Sequence, residues 1–149
     1  MKISTILVLL TGLLVATSVQ AAGSDSSSET AADSAYKIAE AAVKSKDYSR
    51  AAMLFSRVVK DDSSNANAWN YLAFSHRKLG KVDEAEMEYK KALILNPDHK
   101  GAHEYLGELY VETGRTALAR QLLDRLKVIC GTDCEEYEAL QQVIDAGTS

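Results

Sequence analysis

From residue 66 onward the apolar positions fall on a helical stripe that restarts every 34 residues. Trp69, Leu72, Ala73 and His76 recur at i, i+3, i+4 and i+7, one face of an α-helix, and Ala85, Tyr89, Ala92 and Leu93 do the same for a second helix. One period later His103, Leu106, Gly107 and Tyr110 are followed by Ala119, Leu123 and Leu126, and Gly80 and Gly114 hold the same place between the two stripes. Pro97 pushes Asn96 out of helical geometry and ends the second helix of the first copy. Small residues at Ala73 or Gly107, and at Ala85 or Ala119, let paired helices approach closely, while Trp69, Tyr89 and Leu123 fill the space beside them. Each copy predicts two helices joined by a tight turn.

The same period read backwards gives a weaker copy at Ala32 to Asn65, with Ala35, Ile38, Ala39 and Ala42 and then Ala51, Phe55 and Val58. Here Ser63 stands in the place of Pro97 and Lys46 in the place of Gly80. Read forwards, the period gives half a copy. Tyr137, Leu140 and Ile144 take the first-helix places, and Glu135, Glu136, Glu138, Gln141, Gln142 and Asp145 make the rest polar, as suits a helix that covers the end of a stack and presents its other side to water. The chain is therefore predicted to be all-α, with helices at 33–45, 48–60, 66–79, 82–95, 100–113, 116–129 and 134–146.

The order of residues in 66–99 and 100–133 resembles the tetratricopeptide repeat, whose W-x2-L-G-x2-Y, A-x3-F and P pattern recurs at this period. The resemblance implies a right-handed α-solenoid of three tandem hairpins, a divergent first repeat at 32–65, a second at 66–99 and a third at 100–133, closed by a capping helix and tail at 134–149. It also implies a concave groove lined by the first helix of each hairpin. Mapped onto this chain, the groove takes Tyr36, Glu40, Val43 and Lys44 from the first repeat. The second supplies Asn67, Asn70, Tyr71, Phe74, Arg77 and Lys78, and the third Glu104, Tyr105, Glu108 and Glu112. Of these, the aromatic rings offer apolar contact at low entropic cost, and Phe74 is expected to have no packing duty of its own. Some members of the family grip a C-terminal carboxylate with Lys, Asn and Arg. The matching positions here are Tyr36, Glu40, Tyr71, Gly101 and Tyr105, so that clamp is not expected, and the mixed groove suits a short helix or extended peptide with apolar residues of its own.

At the N-terminus Lys2 precedes the uncharged run Ile3 to Val19 and the small-residue end Val19-Gln20-Ala21, the form of a secretory signal, residues 1–21. Cleavage after Ala21 is the first expectation and after Ala22 the second. Retention as an anchor is the competing reading, although the run is short for a span and diluted by Thr11, Gly12, Thr17 and Ser18. No Cys precedes Cys130, which argues against lipid attachment, and the one-Lys n-region looks bacterial. The expected destination is across the inner membrane, in the periplasm. Residues 22–31, polar and without an apolar period, read as a flexible leader.

Composition narrows the partners. Loss of Lys2 would take the formal charge from −4 to −5, an acidic balance that argues against nucleic acid and supplies no polybasic membrane anchor. After signal cleavage no membrane insertion is expected. Glu86 and Lys90 sit four apart as a solvated helical pair worth about 0.2–0.5 kcal/mol. Cys130 and Cys134, the only cysteines, read as a disulfide in an oxidising compartment. A thiol–disulfide catalyst is the alternative, opposed by the negative charge of Asp133, Glu135 and Glu136. A haem link would need His at 135, and a zinc site would need further ligands. His99 and His103 have metal-ligand spacing, but one falls at a hairpin junction and the other replaces Trp69 in the packing stripe; no metal or cofactor is expected, and no nucleophile constellation or phosphate loop is present. The reading is a non-enzymatic scaffold or assembly factor of the bacterial cell envelope that binds a peptide or helix of another protein. A redox factor using Cys130 and Cys134, or a self-associating homo-oligomer, are the alternatives.

Overall fold

The structure is a computed structural model and describes residues 31–147; the predicted signal and the predicted leader, except for Ala31, lie outside the described residues. Among the described residues there are seven α-helices and no strand: α1 (Ala31–Lys44), α2 (Tyr48–Asp61), α3 (Ala66–Lys78), α4 (Val82–Leu95), α5 (Lys100–Glu112), α6 (Thr116–Cys130) and α7 (Glu135–Ala146). Each lies within two residues of the range predicted from the apolar period. None of these helices is long and apolar enough to cross a membrane.

The turns inside the hairpins share one mechanism. Each needs a residue in the left-handed region, and Lys46, Gly80 and Gly114 supply it at φ 60°, 75° and 74°. The amide after each of them returns to a carbonyl of the preceding helix: Asp47 to Ala42 at 2.9 Å, Lys81 to His76 at 2.9 Å, Arg115 to Tyr110 at 2.6 Å. The lysine in the first turn therefore does what glycine does in the others, at the steric cost of a side chain. Between hairpins, side chains cap the next helix. Asn65 accepts from the Ala68 amide at 2.9 Å, and His99 Nδ1 accepts from the Ala102 amide at 3.1 Å.

The hairpins α1–α2, α3–α4 and α5–α6 stack in sequence, and α7 takes the place of a fourth first helix. α1, α3, α5 and α7 thus form one wall, each touching the next, and α2, α4 and α6 the other. Two apolar clusters fill the space between. One joins Ala39, Ala42, Ala51, Ala52, Phe55, Val58 and Val59 to Ala68 and Leu72. The other begins at the neighbouring Ala73 and runs through Tyr89, Leu106, Leu109, Leu123 and Leu126 to Leu140 and Ile144. Gly107 explains how α7 docks, since a Cβ there would stand 2.5 Å from Leu140 Cδ2. Substitution of His103 for the repeat's tryptophan also has a physical account. Trp69 Nε1 donates to the carbonyl of Ser63 at 3.0 Å, and His103 Nε2 makes the equivalent bond to the carbonyl of Pro97 at 2.9 Å.

Candidate functional site

Tyr36, Asn70 and Glu104 occupy one repeat position on successive first helices; Tyr71 and Tyr105 follow the last two directly, and Glu40 lies one turn beyond Tyr36. The stacking of α1, α3, α5 and α7 turns this sequence register into a single cavity of about 400 Å³. Tyr36 and Glu40 line it from α1, and Asn67, Asn70 and Tyr71 from α3. His99, Gly101, Glu104 and Tyr105 line it around the start of α5, and Glu135 and Glu136 from the first turn of α7. The five positions at which a carboxylate clamp would sit, Tyr36, Glu40, Tyr71, Gly101 and Tyr105, all face this one space.

The aromatic residues form a connected series. Tyr71 stacks on Phe55 at 5.3 Å, and Tyr36 meets both edge-on, at 5.5 Å from Phe55 and 6.2 Å from Tyr71. Phe74 lies between Tyr48 of α2, at 6.0 Å, and Tyr105 of α5, at 5.0 Å. The expectation that Phe74 is idle is thus corrected: it bridges two hairpins, half-buried, and Lys78 Nζ rests 5.2 Å from its ring centroid.

Charge in the cavity is one-sided. Burial pushes the Glu104 carboxyl up to about 8, and the neighbouring Glu108, Glu136 and Glu135 add to the rise, against a smaller opposing pull from Arg77. Burial likewise pushes the Tyr105 phenol up to about 12, with Glu104 next in effect. The phenols of Tyr36 and Tyr71 are raised by burial and then by Glu40. Asn70, 4% exposed, has a buried Oδ1 with no hydrogen-bond partner, and so has His99 Nε2.

Not every residue assigned to the groove is available there. Arg77 is 8% exposed and locked to the next repeat, with Nε 2.9 Å and Nη2 2.7 Å from the Glu112 carboxylate and an ion pair to Glu108. Arg77, Glu108 and Glu112 are therefore a latch between α3 and α5. Lys44 is exposed outside the cavity, and Val43 packs on the N-terminal cluster. Glu135 and Glu136, read from sequence as the water-facing side of the cap, also line the cavity; Glu135 is exposed as expected and Glu136 is half-buried. Their signal was present, since Glu135 holds the repeat position of Asn67 and Gly101. His99, a helix cap, came into the site with the same junction.

Glu86 and Lys90 pair as expected at 2.7 Å, and Glu86 also takes Arg115 at 2.6 Å and the Tyr110 hydroxyl at 3.2 Å. Cys130 and Cys134 are placed with sulfurs 2.06 Å apart, joining the end of α6 to the start of α7. The Glu136 carboxylate lies near both, but a bonded sulfur pair offers no thiolate to a metal.

Helical hairpins stacked around a cleft formed by their first helices define a repeat-built α-solenoid, and the sequence comparisons name its class. The family described as Tetratricopeptide repeat matches residues 78–144, and the family described as Anaphase-promoting complex, cyclosome, subunit 3 matches residues 13–92. Over residues 78–144 the chain is similar to the tetratricopeptide repeat family, and its stacked helical hairpins agree with that likeness. It is similar to human Superkiller complex protein 3, 36% identical over 76 residues, which is 51% of this chain and 5% of that protein. It is also similar to Heat shock protein STI1 of Saccharomyces cerevisiae, 43% identical over 63 residues, 42% of this chain and 10% of that one. A bacterial relative is Cellulose synthase 1 operon protein C of Komagataeibacter xylinus, 30% identical over 91 residues, 61% of this chain and 7% of that protein. The chain thus spans only 5 to 10% of the length of these relatives.

Solved structures agree on the fold. The TPR2B domain of yeast Sti1 in its pHsp70 complex has a TM-score of 0.72 at 17% identity, over 78% of this chain and 95% of that one. The Yersinia enterocolitica type III secretion chaperone SycD, in complex with a peptide of the translocator YopD, has a TM-score of 0.69 at 17% identity, over 78% and 91%.

Proposed function

We propose that this protein is a non-enzymatic scaffold or assembly factor that holds a peptide or short helix of a partner protein against the wall formed by α1, α3, α5 and α7. The observation that carries the reading is the cleft itself, where Tyr36, Tyr71 and Tyr105 present half-buried rings from three successive repeats around one cavity. Half-buried rings beside unpaired polar groups give a partner both apolar area and orientation. Structural neighbours with peptides or partner chains in their complexes support the same use of the fold. The signal-like N-terminus supports export across a bacterial inner membrane, with cleavage after Ala21, and an oxidising periplasm in turn suits a structural Cys130–Cys134 disulfide.

The test is crosslinking capture from intact bacterial envelope with this protein as bait. Tyr71→Ala with Phe74→Ala removes two rings, and a thermal melt establishes whether that variant is folded, because both rings also pack on α2. Asn67→Trp fills the cavity from an exposed position without touching the core. The same partner is expected with the wild-type protein and not with Asn67→Trp. Equal capture by both moves the interface off the cleft, and recovery of the bait alone points to self-association.

A further inference from the structure

We propose that the cavity between α1, α3, α5 and α7 is a receptor for a cationic side chain, a lysine or arginine presented by the partner polypeptide. The inference rests on the interaction reading above and specifies the chemistry of what is bound. Among the described residues no cation stands at ion-pair distance from Glu40, Glu104 or Glu135, and only Glu136 is held, by Lys100 at 3.1 Å. A carboxylate peptide would find no Lys or Arg at the five clamp positions and would meet the negative charge of Glu40 among them.

Acidic residues alone would not make a site; Asn70 supplies the independent sign. Its side chain is 4% exposed, lines the cavity and keeps Oδ1 without a donor. A buried acceptor left unpaired is costly, and an ammonium or guanidinium group has donors to spare. Because His99 Nδ1 accepts the Ala102 amide, the neutral ring carries its proton on Nε2, a second unpartnered atom beside the same space. It offers a donor to a carbonyl of the same bound backbone. Tyr36, Tyr71 and Tyr105 add ring faces for the charge.

Glu104 couples binding to protons. It is surrounded by Glu108 on its own helix, Arg77 on α3, Glu135 and Glu136 on α7 and Glu40 across the cavity. Burial, with Glu108, Glu136 and Glu135 after it, raises the Glu104 carboxyl to about 8, and an arriving cation would favour its ionised form, so binding releases a proton.

The experiment is an NMR titration of the isotope-labelled protein with capped peptides Leu-Ser-X-Ser-Leu, where X is lysine, arginine, norleucine or glutamate. Lysine and arginine peptides are expected to shift the Asn70 side-chain amide saturably and to bind about tenfold more tightly than the norleucine peptide. Their affinity should rise between pH 6 and pH 8 and fall with added salt. Glu40→Gln with Glu104→Gln should erase the preference while leaving the rest of the spectrum native. Equal affinity for lysine and norleucine overturns the cationic receptor and leaves the cleft as a binding surface. Preference for glutamate, or no saturable shift with any of the four peptides, overturns it as well, and the Asn67→Trp capture experiment then decides separately whether the cleft binds a partner.

Discussion

At its C-terminal end the stack is sealed by α7, which buries Leu140 and Ile144 in the cluster that also holds Leu106, Leu109 and Tyr110. At its N-terminal end α1 buries only alanines, Ala39 and Ala42, and leaves Ile38 49% exposed. What holds α1–α2 to the next hairpin is the set of rings Tyr36, Phe55 and Tyr71 beside Leu72 and Ala68. Those rings are also one wall of the cavity. Stability and recognition therefore share residues at the N-terminal end, whereas at the C-terminal end the aliphatic seal lies behind the carboxylates of α7 that face the cavity. In a repeat stack each unit is stabilised mainly by its neighbours, so damage at the two ends should have different reach.

The largest effects test that difference directly. Phe55→Ala removes a fully buried ring and should cost about 3–5 kcal/mol, and Leu140→Ala should cost about 2–5 kcal/mol. Hydrogen exchange is expected to show protection lost first in α1 and α2 for the former and in α5, α6 and α7 for the latter. Only the former should also weaken peptide binding. Uniform loss of protection across all seven helices in both variants would show that the ends are not separable.

Next in size is the cysteine pair. Cys130→Ser with Cys134→Ser opens the loop 130–134 that joins α6 to α7 and should lower stability by roughly 2 kcal/mol on the chain-entropy account, leaving peptide affinity intact. Unchanged melting together with loss of thiol exchange on a client would instead favour the redox reading, against the acidic first turn formed by Glu135, Glu136 and Glu138.

Between the two ends lies Glu104. Its folded-state carboxyl is raised to about 8 from an ordinary 4.5, so between those values the folded protein holds a proton that the unfolded chain has released. The contribution of this group is present below the lower value and is lost as pH rises through the upper one. Glu104→Gln should therefore stabilise the protein at pH 8 to 9 by roughly 1 kcal/mol after solvent screening, several degrees in Tm, and flatten the pH profile from 5 to 8. A wild-type melting temperature that does not fall across this range, with no gain from the substitution, would show that Glu104 does not set the pH dependence.

The apolar period made the helices legible because a buried stripe and a 34-residue spacing leave little freedom in where each helix starts. The resemblance to the tetratricopeptide repeat, mapped onto that period, placed Tyr36, Glu40, Asn67, Asn70, Tyr71, Glu104 and Tyr105 on one wall. What it did not reveal were pairings between repeats. Arg77 belongs to the residues left over when the packing stripe is removed, and nothing in its own repeat shows that Glu108 and Glu112 of the next one enclose it. Phe74 was misread for the same reason, since its partners Tyr48 and Tyr105 come from the hairpins on either side. Asn70 and His99 were visible as letters, but an unmet hydrogen-bonding atom exists only in three dimensions.

The smallest effect concerns the turns, and it asks whether the first hairpin is weaker than the others for a local reason as well. Lys46 adopts φ 60° where the later repeats use Gly80 and Gly114, and a side chain in that region costs about 1 kcal/mol relative to glycine. Lys46→Gly should recover up to that amount, less what the more flexible unfolded chain takes back, so a net gain of about 0.5 kcal/mol is expected by chemical denaturation. Gly80→Ala should move stability the other way by about 1 kcal/mol, even though a Cβ there would meet nothing within 4 Å. The contrast isolates backbone conformation from contact. If Lys46→Gly destabilises, then the lysine side chain contributes a favourable interaction larger than the strain, and the difference between the two ends of the stack lies wholly in packing.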